Sequence, residues 1–111
     1  MIDWSQVSEL HDEIGAVDFD EVVALFLQEV EGALADLPDQ AREPAALEAA
    51  LHFLKGSALN LGFDTLAHAC QEGEYAARAG TPEAVDLGAI ARLYEDSRAA
   101  FLRELPERLA A

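Results

Sequence analysis

Few side chains in this sequence can carry chemistry. Its 111 residues include three histidines (His11, His52, His68), one cysteine (Cys70) and one lysine (Lys55). Lys55 follows His52 by three residues, Gly56 by four, and Glu48 precedes it by four. On a helix, residues at these spacings are neighbours on one surface. A neutral imidazole is a good nucleophile near neutral pH and can carry a phosphoryl group on one ring nitrogen. That group brings about two negative charges, and a cation one turn away offsets part of them. A mid-helix glycine costs about 1 kcal/mol against alanine. Placed one turn from the imidazole, it leaves a floor without side chains on which another protein's active site can come close. The alternative is an ordinary surface histidine, a Lys55–Glu48 surface pair, and a glycine that permits close helix packing. The spacing alone does not decide between them.

The other candidates carry less. His68 and Glu72 are four apart, but two ligands make a poor metal site. His11 is expected to be a surface residue of the first helix. Cys70 falls on an apolar seam and reads as a small core residue rather than a reactive thiol. With a single cysteine there is no internal disulfide and no cysteine-based zinc site. A Gly-rich phosphate loop, HExxH, an EF-hand loop and GxSxG are all absent from the sequence.

Turn signals divide the chain into five helical pieces. Asp3 is a plausible N-cap for a short first helix over about 3–14, stopped by Gly15. A second helix is expected over about 18–37, starting near Asp18 or Asp20 and ending before Pro38, with Phe19, Val22, Val23, Phe26, Val30, Ala33, Leu34 and Leu37 as its stripe. A third, over about 44–61, opens on Pro44 and closes on Gly62. Its seam is Leu47, Leu51, Leu54, Ala58 and Leu61, and His52 falls off it, towards solvent. A fourth covers about 64–79, with Leu66, Cys70, Gly73 and Ala77 inward. The fifth covers about 86–105 and is ended or kinked by Pro106. Four long amphipathic helices with short connections predict an all-α, antiparallel four-helix bundle of one domain over 1–111, with the first helix capping one end.

Composition agrees. Ala and Leu supply 38 of the 111 residues, and β-branched residues are scarce. The formal net charge is −15, from 7 basic against 22 acidic side chains. Binding to a nucleic-acid backbone or an anionic membrane surface needs the opposite sign. No stretch approaches the length of an apolar membrane span. The first residues, Met1-Ile2-Asp3-Trp4, do not open a signal peptide, so a reduced, cytoplasmic domain is expected.

The segment Ala50-Leu51-His52-Phe53-Leu54-Lys55-Gly56-Ser57-Ala58-Leu59-Asn60-Leu61-Gly62 resembles the signature of histidine-containing phosphotransfer (HPt) domains. That pattern is a helical His, Lys and Gly three and four residues on, a small residue, and a Gly ten residues after the His. Leu66, Cys70 and Glu74 match recurring positions on the next helix, and Phe26 and its helix resemble the family's second helix. The likeness covers essentially the whole chain. One departure is Gly73, where the family usually has a large apolar residue.

The resemblance implies a phosphoryl carrier in two-component signalling, not an autonomous enzyme. By carry-over, His52 is the phosphorylated residue, Lys55 the charge stabiliser and Gly56 the clearance residue. Glu74, 22 residues after His52, is where chemotaxis-kinase versions of the domain place a carboxylate that hydrogen-bonds the other imidazole nitrogen. The implied partners are response-regulator receiver domains and histidine kinases. No cofactor is expected in this chain, the receiver supplying the acidic pocket and Mg²⁺. The expected docking patch around His52 comprises Ala45, Glu48, Ala49 and Leu59, the last an off-seam apolar residue. A monomer is expected, because one chain already supplies four long helices. A chemotaxis-kinase-type phosphorylation domain and an unphosphorylated docking module are the competing readings.

Overall fold

The computed structural model describes residues 1–110, Ala111 lying outside the described residues. It contains α1 (Trp4–Ile14), α2 (Phe19–Gln40), α3 (Pro44–Leu61), α4 (Asp64–Arg78) and α5 (Leu87–Ala110), with one 3-10 turn at Pro82–Ala84 between α4 and α5. There is no strand among the described residues. α2 packs on α3, α3 on α4, α4 on α5, and α5 back on α2, closing the four-helix ring. α1 packs on α3 and α2.

Local chemistry explains most boundaries. The Asp3 carboxylate accepts the Ser5 and Gln6 backbone N–H groups at 3.1 and 3.3 Å, capping α1. Pro44 opens α3, where its missing N–H costs nothing. Gly62 ends α3 in the left-handed region, at φ +77°. Its carbonyl accepts the Asp3 N–H at 2.6 Å, tying the start of α1 to the end of α3. A Cβ on Gly62 would sit 2.6 Å from the Asp3 carbonyl oxygen, so only glycine fits. The Asp86 carboxylate accepts the Ala89 N–H at 2.9 Å at the start of α5.

Two helices outrun their expected ends. α2 continues through Pro38 to Gln40. A proline removes one helical bond, and the next turn still closes, with the Ala41 N–H on the Leu37 carbonyl at 2.9 Å. Leu37, 1% exposed, anchors that turn. α5 likewise continues through Pro106 to Ala110. Leu105 and Leu109 pack against the core, and the Arg108 guanidinium lies 5.3 Å over the Trp4 ring. This packing outweighs the cost of an interior proline, about 3 kcal/mol. α4 ends one residue short of expectation, at Arg78. Asp18 makes no side-chain cap bond, and α2 instead carries Asp20 and Glu21 in its first turn.

Phe63, fully buried between α3 and α4, sits at the aromatic centre of the core. It lies edge-on to Phe101 at 5.4 Å and tilted to Tyr94 at 6.3 Å, and Phe101 stacks on Trp4 at 5.8 Å. The buried Tyr94 hydroxyl donates to the Glu31 carboxylate of α2, linking α5 to α2. Leu47, Leu51, Leu54, Ala58 and Leu61 are fully buried, so the α3 seam read from the sequence is the core face of that helix. The opposite face, with His52, is left to solvent.

Candidate functional site

His52 stands on the exposed side of α3, with its side chain 70% accessible. Ala45, Ala49 and Gly56 on the same helix are exposed, and Leu59 is 51% exposed. A Cβ at Gly56 would meet nothing within 4 Å, so this glycine is not there for helix packing. Ala45, Ala49 and Gly56 thus leave this part of the α3 surface without long side chains. Phe53, next to His52 and 48% exposed, adds an aromatic that the sequence reading left unassigned.

Glu74 is the least exposed member of the cluster. The sequence places it off the α4 seam; the structure buries it to 3% exposure, because α3 and α4 pack closely there. Its Oε2 accepts from His52 Nδ1 at 3.3 Å. Its Oε1 lies 2.9 Å from Lys55 Nζ, itself largely covered. Burial pushes the Glu74 carboxyl up, but hydrogen bonds and charge from Lys55, and then from His52, hold it below the ordinary carboxylate range. It is therefore an ionised acceptor near neutral pH.

Arg78, absent from the sequence reading, completes the group. Its Nε donates to Glu48 Oε2 at 2.6 Å, and its Nη2 lies 3.9 Å from Glu74 Oε2. Lys55 thus pairs with Glu74, not with Glu48, and Glu48 is tied down as Arg78's partner. The usable signal for Arg78 is its spacing, four residues after Glu74 on one face of α4. Glu48, Glu74, Lys55 and Arg78 cancel one another's charge. His52 therefore stands in a locally balanced patch of a chain with net charge −15.

The remaining candidates lie elsewhere. His68 and Glu72 pair with each other at 3.0 Å on the surface, and no group of three or more potential metal ligands occurs among the described residues. Cys70 is buried, and burial, followed by the Glu74 charge, pushes its thiol up to about 12, which makes it unreactive. His11 is not a free surface residue: its side chain is 27% exposed, edge-on to Phe19 at 4.9 Å. No helix of the described residues is long and apolar enough to cross a membrane.

An exposed imidazole with one nitrogen bound to a buried carboxylate and a lysine beside it is a site that can take and release a phosphoryl group. Comparison with known proteins agrees with that chemistry. No curated protein and no solved structure matches the chain. The protein-family model described as Hpt domain matches residues 21–110, which takes in α3, α4, α5 and nearly all of α2. That span is most of the chain and contains every residue of the His52 cluster: the chain belongs to the Hpt domain family, the histidine phosphotransfer domains of two-component phosphorelays.

Proposed function

We propose that this chain is a phosphoryl carrier that accepts a phosphoryl group on His52 Nε2 from a receiver-domain aspartyl phosphate and passes it to a second receiver aspartate. The observation that carries this reading is the His52–Glu74 hydrogen bond at 3.3 Å. An ionised carboxylate only accepts, so Nδ1 carries the proton and Nε2 keeps its lone pair on the solvent side. The Nε2 lone pair attacks phosphorus, the bond from phosphorus to the aspartyl oxygen breaks, and the carboxylate leaves with that electron pair. The ring becomes a phosphoimidazolium that retains its Nδ1 proton, and Glu74 stabilises its positive charge. The same charge makes the ring a good leaving group when the next aspartate attacks.

Lys55, one helical turn on from His52, is the cation for the phosphoryl oxygens. It reaches them by exchanging its contact with Glu74. Gly56, Ala45 and Ala49 let the receiver approach, and Leu59 and Phe53 give it an apolar edge to dock on. The receiver supplies the Mg²⁺ and the acidic pocket. On this reading the chain is a carrier without activity of its own, working in the cytoplasm.

A second reading shares the same hydrogen bond. A carboxylate 22 residues after the histidine also suits a domain phosphorylated directly by an ATP-dependent kinase. Transfer from a panel of phosphorylated receivers and histidine kinases, to wild type and to His52→Gln, tests both. Acid-labile, base-stable label from a receiver, lost in the variant, is the expected result. Label from kinases alone favours the second reading. Specific binding without label, from donors active on a control carrier, overturns both in favour of a docking module.

A further inference from the structure

Gly73 lies in the interior of α4, directly before Glu74, and is buried. A Cβ built on it would lie 2.8 Å from Leu51 Cδ1 and 3.4 Å from Val85 Cγ1. Leu51 directly precedes His52 and is 0% exposed. The closest approach of α3 and α4 at this level is therefore Gly73 against Leu51, and the adjoining pair is Glu74 against His52.

We propose that Gly73 is a positioning residue: its missing side chain sets the α3–α4 separation that brings Glu74 within hydrogen-bond reach of His52. The kinetic part of this inference rests on His52 being the phosphoryl acceptor; the geometric part does not. The bond at 3.3 Å is already at the long end for N–H···O, so it has no slack. A methyl group on residue 73 needs several tenths of an ångström more room than Leu51 leaves it. Leu51 is enclosed in the core, and Val85 stands at contact distance on the rim of a cavity that Gly73 also lines. On this proposal the shift is taken up by moving α4 away from α3 rather than by turning the end of the Leu51 side chain, and the His52–Glu74 bond breaks first. The shorter, flexible Lys55–Glu74 contact at 2.9 Å can follow the movement. Of the other helical glycines, Gly32 and Gly56 have no atom within 4 Å of a built Cβ, and Gly88 meets only the exposed side-chain ends of Arg92 and Asp86, at 3.3 and 3.4 Å, so an approach below 3 Å to another helix is particular to residue 73.

The test compares the full chain with Gly73→Ala, with Gly73→Ala/Leu51→Val, and with Gly32→Ala as a control for helix propensity. Histidine ¹⁵N NMR of the unphosphorylated proteins reads the His52 tautomer, and phosphoryl transfer reads the rate. Wild type and Gly32→Ala are expected to hold the Nδ1–H form. Gly73→Ala is expected to lose it and to accept phosphoryl about tenfold more slowly, in the range seen when a supporting hydrogen bond is removed. Leu51→Val removes the Cδ1 atom that the new methyl meets, and is expected to restore both readouts. An unchanged tautomer in Gly73→Ala overturns the proposal, as does a loss that Leu51→Val leaves unrepaired. If no donor phosphorylates wild type, the carrier reading fails and the tautomer series still decides the role of Gly73.

Discussion

Glu74 is almost wholly buried, yet its Oε2 accepts from the Nδ1 of His52, a ring that is mostly exposed. A carboxylate fixed in the α3–α4 seam thereby controls an imidazole in solvent. Replacing it with Gln keeps the shape and an acceptor oxygen but removes the charge. Glu74→Gln is expected to slow phosphoryl acceptance by about 10- to 100-fold, as loss of such supporting groups does. His52→Gln, by contrast, abolishes it. Single-turnover transfer from one phosphorylated receiver separates the two variants.

The same carboxyl sets a pH dependence. Its value is held below the ordinary range by Lys55 and His52 against the opposing effect of burial. A depressed folded-state value gives stability that is present above the unfolded value, about 4.3, and is lost as pH falls through the folded one. Self-repulsion in a chain at −15 also relaxes on acidification. The informative quantity is therefore the stability of wild type minus that of Glu74→Gln. Urea unfolding is expected to give a difference that is constant near neutral pH and shrinks below about pH 4.

Gly56 separates stability from function. A Cβ there meets nothing within 4 Å, so Gly56→Ala is expected to raise stability by up to about 1 kcal/mol through helix propensity. Gly56→Leu is expected to fold equally well and to lose most transfer, because the leucine stands where the partner must approach. Thermal unfolding and transfer assays on the same preparations check this; a leucine variant with wild-type transfer would remove Gly56 from the docking surface.

Gly62 fixes the end of the helix that carries His52. Alanine there meets both the left-handed conformation at φ +77° and the Asp3 carbonyl at 2.6 Å. Gly62→Ala is expected to cost more than about 1 kcal/mol. Trp4, the only tryptophan, stacks on Phe101 and reports on α1. Its fluorescence is expected to shift to the red as the Asp3–Gly62 link is strained.

Much of this was legible in the residues. Asp3, Pro44 and Gly62 mark helix ends through chemistry that acts within a few residues. The spacing of Leu47, Leu51, Leu54, Ala58 and Leu61 put His52 outward because an α-helix has one period. The Pro38 and Pro106 overruns were not legible, since they depend on Leu37, Leu105 and Leu109 finding core partners far away in sequence. Nor was the burial of Glu74 or the tie between Arg78 and Glu48, because both arise from the distance between α3 and α4. His11 reads as a surface residue until Phe19 folds back beside it. Gly73 could be read from the sequence as loosening the seam or as drawing the helices together, and the Leu51 contact decides for the second.

If Glu74 holds Nδ1, the phosphoryl group goes to Nε2 of His52. The direct measurement is ³¹P and ¹⁵N NMR of histidine-labelled protein, phosphorylated by whichever donor the transfer panel identifies. One phosphohistidine is expected, at His52, with phosphorus on Nε2 and the proton retained on Nδ1. Phosphorus on Nδ1, or on His11 or His68, would contradict it.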